Sequence, residues 1–130
     1  MKNITMPFTV TLWEAENYDE STFSPTLSEV KIRKSFDGDE MKGESVGKLL
    51  MCTSRNDSAG YTIMDRFFVE IDGRKGSFVA IHGGMTDEMK ASGKIVPGSG
   101  TDQLEGIHGT LEFHSDESGK IIILDYLLED

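Results

Sequence analysis

The sequence predicts an all-β fold, a small closed antiparallel β-barrel of about eight strands, and three observations predict it: apolar and polar residues alternate along most of the chain, turn-forming clusters separate the runs, and several runs are long. A period of two sends successive side chains to opposite faces of a strand. Long strands with open edges recruit other chains, and closure removes the edges. A two-sheet sandwich is the alternative that the same alternation permits.

The elements follow in order. Phe8, Val10 and Leu12 share one face of the first run, Thr9, Thr11 and Trp13 the other, and Glu14 breaks the apolar face at its end. Val30, Ile32 and Phe36 repeat the scheme with Lys34 interrupting, while Glu29, Lys31 and Arg33 take the reverse face. Val46, Leu50 and Cys52 make a third apolar face, interrupted by Lys48. Tyr61, Ile63, Phe67, Val69 and Ile71 make a fourth, interrupted by Asp65. Further runs cover 77–82, 90–96, 107–114 and 120–128. Between them, Asp37-Gly38-Asp39 and the segments 56–60, 72–76 and 115–119 supply residues that tolerate positive φ or cap a tight bend, so sequence neighbours are expected to pair antiparallel. Only 85–91 has the character of a short helix.

A chain of 130 residues fits one domain spanning 1–130, with no linker, repeat or low-complexity tract. The formal charge of −10 repels a phosphate backbone or an anionic membrane, so neither nucleic acid nor membrane is an expected partner. One cysteine, Cys52, forms no intramolecular disulfide, and it lies beside Leu50 as an inert buried thiol would. The first ten residues lack the unbroken apolar run of a signal peptide. These features together predict a cytoplasmic protein.

The most distinctive string is Val96-Pro97-Gly98-Ser99-Gly100-Thr101, followed by Leu104, Gly106 and Gly109. A phosphate-cradling glycine loop joins a strand to a helix, and a Walker loop adds a Lys-Ser/Thr pair; the segment has neither. Glycines that allow a sharp bend and close backbone packing at the barrel rim are the expectation. With Phe8-Thr9-Val10 and Trp13, Gly76-Ser77-Phe78, His82 and Gly84, and the closing Leu124-Asp125-Tyr126, this string resembles the bacterial domain-of-unknown-function 3224 family over nearly the whole chain. The resemblance implies a barrel similar to that of allene oxide cyclase, with room for an interior cavity. Asp102 stands where the family usually has glycine. The resemblance carries over no catalytic residue, because the matching positions are mainly scaffold glycines and apolar residues.

Chemistry is sought in the charged groups set into apolar faces: Glu14, Lys34, Lys48, Asp65, His82 and Asp125. Any that point into a lumen are desolvated and must pair or shift their pKa, which is how many binding sites are built; a missed bulge or a place at the barrel mouth would instead leave them solvated. His82 stands out, sharing a face with Phe78 and Ala80 ahead of two glycines that leave room for a ligand. Trp13, Phe78 and Tyr126, with Phe36, Tyr61 and Phe67, are candidate lining for an apolar ligand or plain core. The ligand-binding candidates are thus His82, Glu14, Lys34, Lys48, Asp65, Trp13, Phe78 and Tyr126. The three histidines have no metal-ligand spacing, His108 and His114 belong to a polar face with Thr110 and Glu112, and no Gly-x-Ser-x-Gly elbow exists, so neither metal nor cofactor is expected.

Three functions are weighed: a barrel that binds a small hydrophobic molecule; an isomerase or cyclase of the allene oxide cyclase type, which the resemblance suggests, using Glu14 or His82; and a non-catalytic structural or interaction subunit with a filled lumen. Lumen volume separates the last from the others. Segments 78–81 and 121–124 are apolar on both faces, which predicts a second subunit covering the outer one, most simply in a dimer.

Overall fold

The computed structural model describes residues 1–20, 25–54, 59–85 and 90–128. Its strands are β1 (Lys2–Pro7), β2 (Thr9–Glu20), β3 (Thr26–Asp37), β4 (Met41–Thr53), β5 (Ala59–Ile71), β6 (Arg74–Met85), β7 (Lys90–Ile95), β8 (His108–Asp116) and β9 (Gly119–Leu127), with one 3-10 turn at Asp102–Leu104. Every pairing is antiparallel, in the order β1-β9-β8-β7-β6-β5-β4-β3-β2. The two ends of that order are one strand. β1 passes into β2 through Phe8, whose N–H donates to the Lys120 carbonyl at 3.1 Å, so the first half of the strand pairs with β9 and the second with β3. The sheet closes as an antiparallel barrel of eight strands, not a sandwich. Among the described residues no helix is long and apolar enough to cross a membrane.

The hairpin between β5 and β6 shows the local rule at work. Asp72 and Gly73 have φ of 50° and 79°, the left-handed pair whose twist matches that of the flanking strands. Around this end of the barrel the lumen is packed solid. Phe36 stacks on Phe67 and Phe67 on Phe78, with ring centroids 5.4 and 4.9 Å apart, and Ile4, Met41, Ile71, Leu104 and Ile107 pack into the same core. At the other end Val30, Ile32, Leu49 and Ile63 form a separate, smaller cluster.

The glycine-rich string closes the solid end. β7 stops at Ile95 while β6 runs on, and the chain after β7 satisfies the edge of β6 with two hydroxyls and two backbone N–H groups. The Val96 N–H donates to the Val79 carbonyl at 2.8 Å, and the Val79 N–H donates to Ser99 Oγ at 3.0 Å. Next along, the Ser77 N–H donates to Thr101 Oγ1 at 3.0 Å and the Thr101 N–H to the Ser77 carbonyl at 2.9 Å. Gly100 is required because a Cβ there would overlap the Leu104 carbonyl oxygen. Asp102 has φ of 52°, a conformation that glycine adopts freely and aspartate better than most residues.

Two expected faces are corrected. In β4 the buried side chains are Met41, Ser45 and Leu49, with Met51 half-buried, so Val46, Lys48, Leu50 and Cys52 lie on the outer face. The outward apolar residues outscore the inward ones, whose face includes Gly43 and Gly47, and this inverts the apparent pattern. In β2 an extra residue, Thr11, separates Val10, paired with Lys34, from Leu12, paired with Arg33. That bulge turns Trp13 rather than Leu12 to the same side as Val10. The ends of the expected helix are strand, at Met85 in β6 and at Lys90 and Ala91 in β7, and 86–89 lie outside the described residues, as do 55–58 of one expected turn.

Candidate functional site

On the inward faces of β3, β5 and β6, one residue each of Lys, Asp or His type stands beside apolar neighbours: Lys34 between Ile32 and Phe36, Asp65 between Ile63 and Phe67, and His82 after Ala80. Closure brings the three together. They are 4 %, 0 % and 4 % exposed. Lys34 Nζ donates to Asp65 Oδ2 at 2.6 Å, and His82 Nε2 lies 2.8 Å from the same oxygen. An ionised carboxylate accepts only, so it selects the neutral histidine tautomer that has its proton on Nε2. Nδ1 is then an acceptor, buried and without a partner among the described residues. Phe113 on β8 completes the cluster: its ring stacks on His82 with centroids 4.3 Å apart, and Lys34 Nζ lies 5.1 Å from its centre.

A glycine makes this arrangement fit. A Cβ at Gly47, on the strand beside β5, would overlap Asp65 Oδ1, so the carboxylate occupies the space left by a missing side chain. Among the described residues Oδ1 has no hydrogen-bond partner, and Oδ2 is the oxygen bonded to both neighbours.

The three groups shift one another's protonation. Burial pushes the Lys34 ammonium below its usual value, only partly offset by the charge and hydrogen bond of Asp65. Burial by itself would raise Asp65, yet the hydrogen bond from His82 and the charge and hydrogen bond of Lys34 outweigh it and hold the carboxyl below the usual range. Burial likewise pushes His82 down, against the hydrogen bond to Asp65. The Lys34–Asp65 ion pair at 2.6 Å and a neutral His82 imidazole together carry no net charge.

Above this floor is a cavity of about 400 Å³, opening at the end of the barrel opposite the phenylalanine stack. Val10, Ile32, Leu49, Met51 and Ile63 form its apolar wall, Phe8, Tyr61 and Phe113 its aromatic side, and Lys34 and His82 its polar residues within. Trp13, Met85, Lys90, His114 and Lys120 also line it, and Trp13 is half exposed. No carboxylate lines this space among the described residues, although the chain is strongly acidic. Shallow depressions of about 600 and 640 Å³ lie on the barrel's outer side, one beside Tyr18 and Cys52 and one over Val46, Met64 and Ile81. Neither includes Lys34 or His82, although Asp65 is part of the lining of the second.

Of the residues expected at a site, Lys34, Asp65 and His82 meet at the cavity floor and Trp13 lies at its lining. Glu14 is exposed on the outer face, opposite Lys31, because the Thr11 bulge reverses its side. Lys48 is exposed and pairs with Glu29 at 2.8 Å. Phe78 belongs to the solid core, and Tyr126 is buried at the far end, near Lys2 and Asp72. Asp125 accepts from Asn3 Nδ2 at 2.8 Å outside the barrel. Phe113 was not singled out by sequence, although Leu111-x-Phe113 is the apolar complement of the polar face through His108 and His114.

Fold and site together define a small closed antiparallel barrel with a charged cluster buried beneath an apolar cavity. The chain belongs to the family described as Protein of unknown function (DUF3224), whose model matches residues 4–126. It is similar to a crystal structure of a protein with unknown function from that family, from Shewanella oneidensis MR-1. The two share 29 % identity with a TM-score of 0.88, over 100 % of this chain and 98 % of that one. No curated protein matches the chain significantly.

Proposed function

We propose that the barrel binds a small, predominantly apolar, uncharged molecule, with its apolar body in the cavity and one hydrogen-bonding group on Lys34 or His82. The observation that carries this reading is the cavity itself: the half of the lumen beyond the phenylalanine stack is hollow, and the hollow ends on a buried polar cluster. Its volume is at the small end of ligand sites, which run roughly 300–1,000 Å³. The wall favours an apolar body. The floor, neutral as a set, gives no advantage to a ligand with a full charge, while the Lys34 ammonium offers donors and His82 Nδ1 an acceptor.

Trp13 is the only tryptophan in the chain, and it lines the cavity, so its emission reports on occupancy. Titration with n-alkanols of increasing length is expected to give a saturable change in that emission. Affinity should rise by about 0.8 kcal/mol for each added methylene until the cavity is full, then level off. A linear, non-saturating response at every length would refute the reading. Native mass spectrometry of protein purified without added ligand then identifies the chemical class of any retained molecule.

The outer face of β4, β5 and β6 exposes Leu50, Met64, Phe68 and Ile81, which supports the dimer expected from the sequence. Light scattering that gives a monomer mass at micromolar concentration would remove that part of the proposal.

A further inference from the structure

Lys34 differs from every other described lysine in the chain: it is buried and the others are exposed. Its amine sits at the edge of an apolar cavity, and the carboxylate oxygen that holds it also touches a neutral imidazole nitrogen. Building on the binding reading above, we propose that Lys34 forms a reversible imine with a small apolar aldehyde or ketone held in the cavity.

The geometry provides what imine formation requires. An amine attacks a carbonyl only when unprotonated, and an ordinary exposed lysine is almost wholly protonated at neutral pH. Here Asp65 Oδ2 lies 2.6 Å from Lys34 Nζ and 2.8 Å from His82 Nε2. Asp65 Oδ2 takes up the proton that leaves Lys34, while the His82 Nε2–H keeps its bond to the same carboxyl group. The freed amine lone pair then forms the C–N bond, and the carbonyl oxygen takes up a proton from the attacking nitrogen to give a carbinolamine. Return of the proton from the Asp65 carboxyl group to the carbinolamine hydroxyl breaks the C–O bond and releases water. The product is a protonated imine on Lys34.

The balance is one carbonyl compound and one ammonium in, one protonated imine and one water out, with no oxidant or reductant. Charge is conserved within the cluster at every stage. It begins with ammonium, carboxylate and imidazole, and ends with iminium, carboxylate and imidazole. No new charge has to be created away from water, which is the step that apolar surroundings penalise most. The same apolar wall concentrates a hydrophobic carbonyl compound beside the amine and limits the water that would hydrolyse the product.

The test uses cinnamaldehyde with cyanoborohydride on the intact, unaltered chain at neutral pH, followed by intact mass measurement and peptide mapping. One adduct is expected, on Lys34, at about tenfold or more the occupancy of any exposed lysine, because the cavity holds the aldehyde beside this amine. Lys34→Arg keeps the charge and loses that adduct while the exposed lysines react as before. Adducts spread over exposed lysines with Lys34 unmodified would overturn the proposal, and the mapping needs no variant to fold. Cinnamyl alcohol, which has no carbonyl, separates the two readings. If it perturbs Trp13 saturably while the aldehyde leaves Lys34 untouched, the imine fails and binding stands; if neither compound has any effect, both fail.

Discussion

Asp65 is fully buried, and removal of its charge leaves the Lys34 ammonium beneath the cavity without a counter-ion. Breaking one side of such a pair costs about 3–5 kcal/mol, so Asp65→Asn is expected to lose that much in urea unfolding. Gly47→Ala attacks the same carboxylate by volume, since the new methyl overlaps Oδ1; a loss of about 1–3 kcal/mol is expected, and equal stability would show that the carboxylate has room to move. Acid sensitivity has a definite sign. His82 is held below its ordinary 6.5, so as pH falls past that value the unfolded chain takes up a proton that the folded chain refuses, and stability drops. Asp65, held below its ordinary 3.8, adds a further loss as pH falls through its folded value. His82→Gln removes the first contribution. Between neutrality and mild acid its urea midpoint should therefore fall less steeply than that of the parent, by up to about 1.4 kcal/mol per pH unit.

Elements show where local sequence is sufficient and where it is not. The segment from Val96 to Thr101 acts as a side-chain substitute for a missing stretch of strand, with two hydroxyls standing where backbone carbonyls would accept from β6. Ser99→Ala strands the Val79 N–H and is expected to cost about 1–3 kcal/mol, whereas Thr101→Ser keeps its acceptor and should be nearly neutral; thermal melts of the pair check this. Asp102→Gly should hold or raise stability, and Asp102→Ala lower it by about 1 kcal/mol, because only the first relaxes the positive φ. Alternation revealed these strands and the polar interruptions on β3, β5 and β6, since a charge flanked by apolar residues two positions away stands out in one sequence. It misassigned β4, where Ser45 and the glycines face inward and Leu50 outward, and it followed Glu14 to the wrong side through a bulge that no single residue announces. Which interruptions meet is a property of closure, so the shared oxygen of Asp65 and the stacking of Phe113 on His82 were not legible before the fold was known.

At the scale of the whole molecule, the barrel is divided into a filled half and a hollow half, and the two should answer substitution in opposite ways. Phe67 is central to the filled half, stacked on both sides, so Phe67→Ala opens a cavity there and is expected to cost about 3–5 kcal/mol. Leu49 is on the wall of the hollow half, where added volume has somewhere to go. Leu49→Phe should therefore avoid the usual overpacking penalty of about 1–3 kcal/mol while it occupies space that a ligand would need. Paired measurements decide the matter: urea midpoints for both variants, and alkanol titrations followed through Trp13. A Leu49→Phe protein that keeps its midpoint but loses saturable binding places the ligand inside the barrel. One that keeps both would move binding to the outer wall, and one that loses stability as Phe67→Ala does would mean that the upper lumen is as tightly filled as the lower.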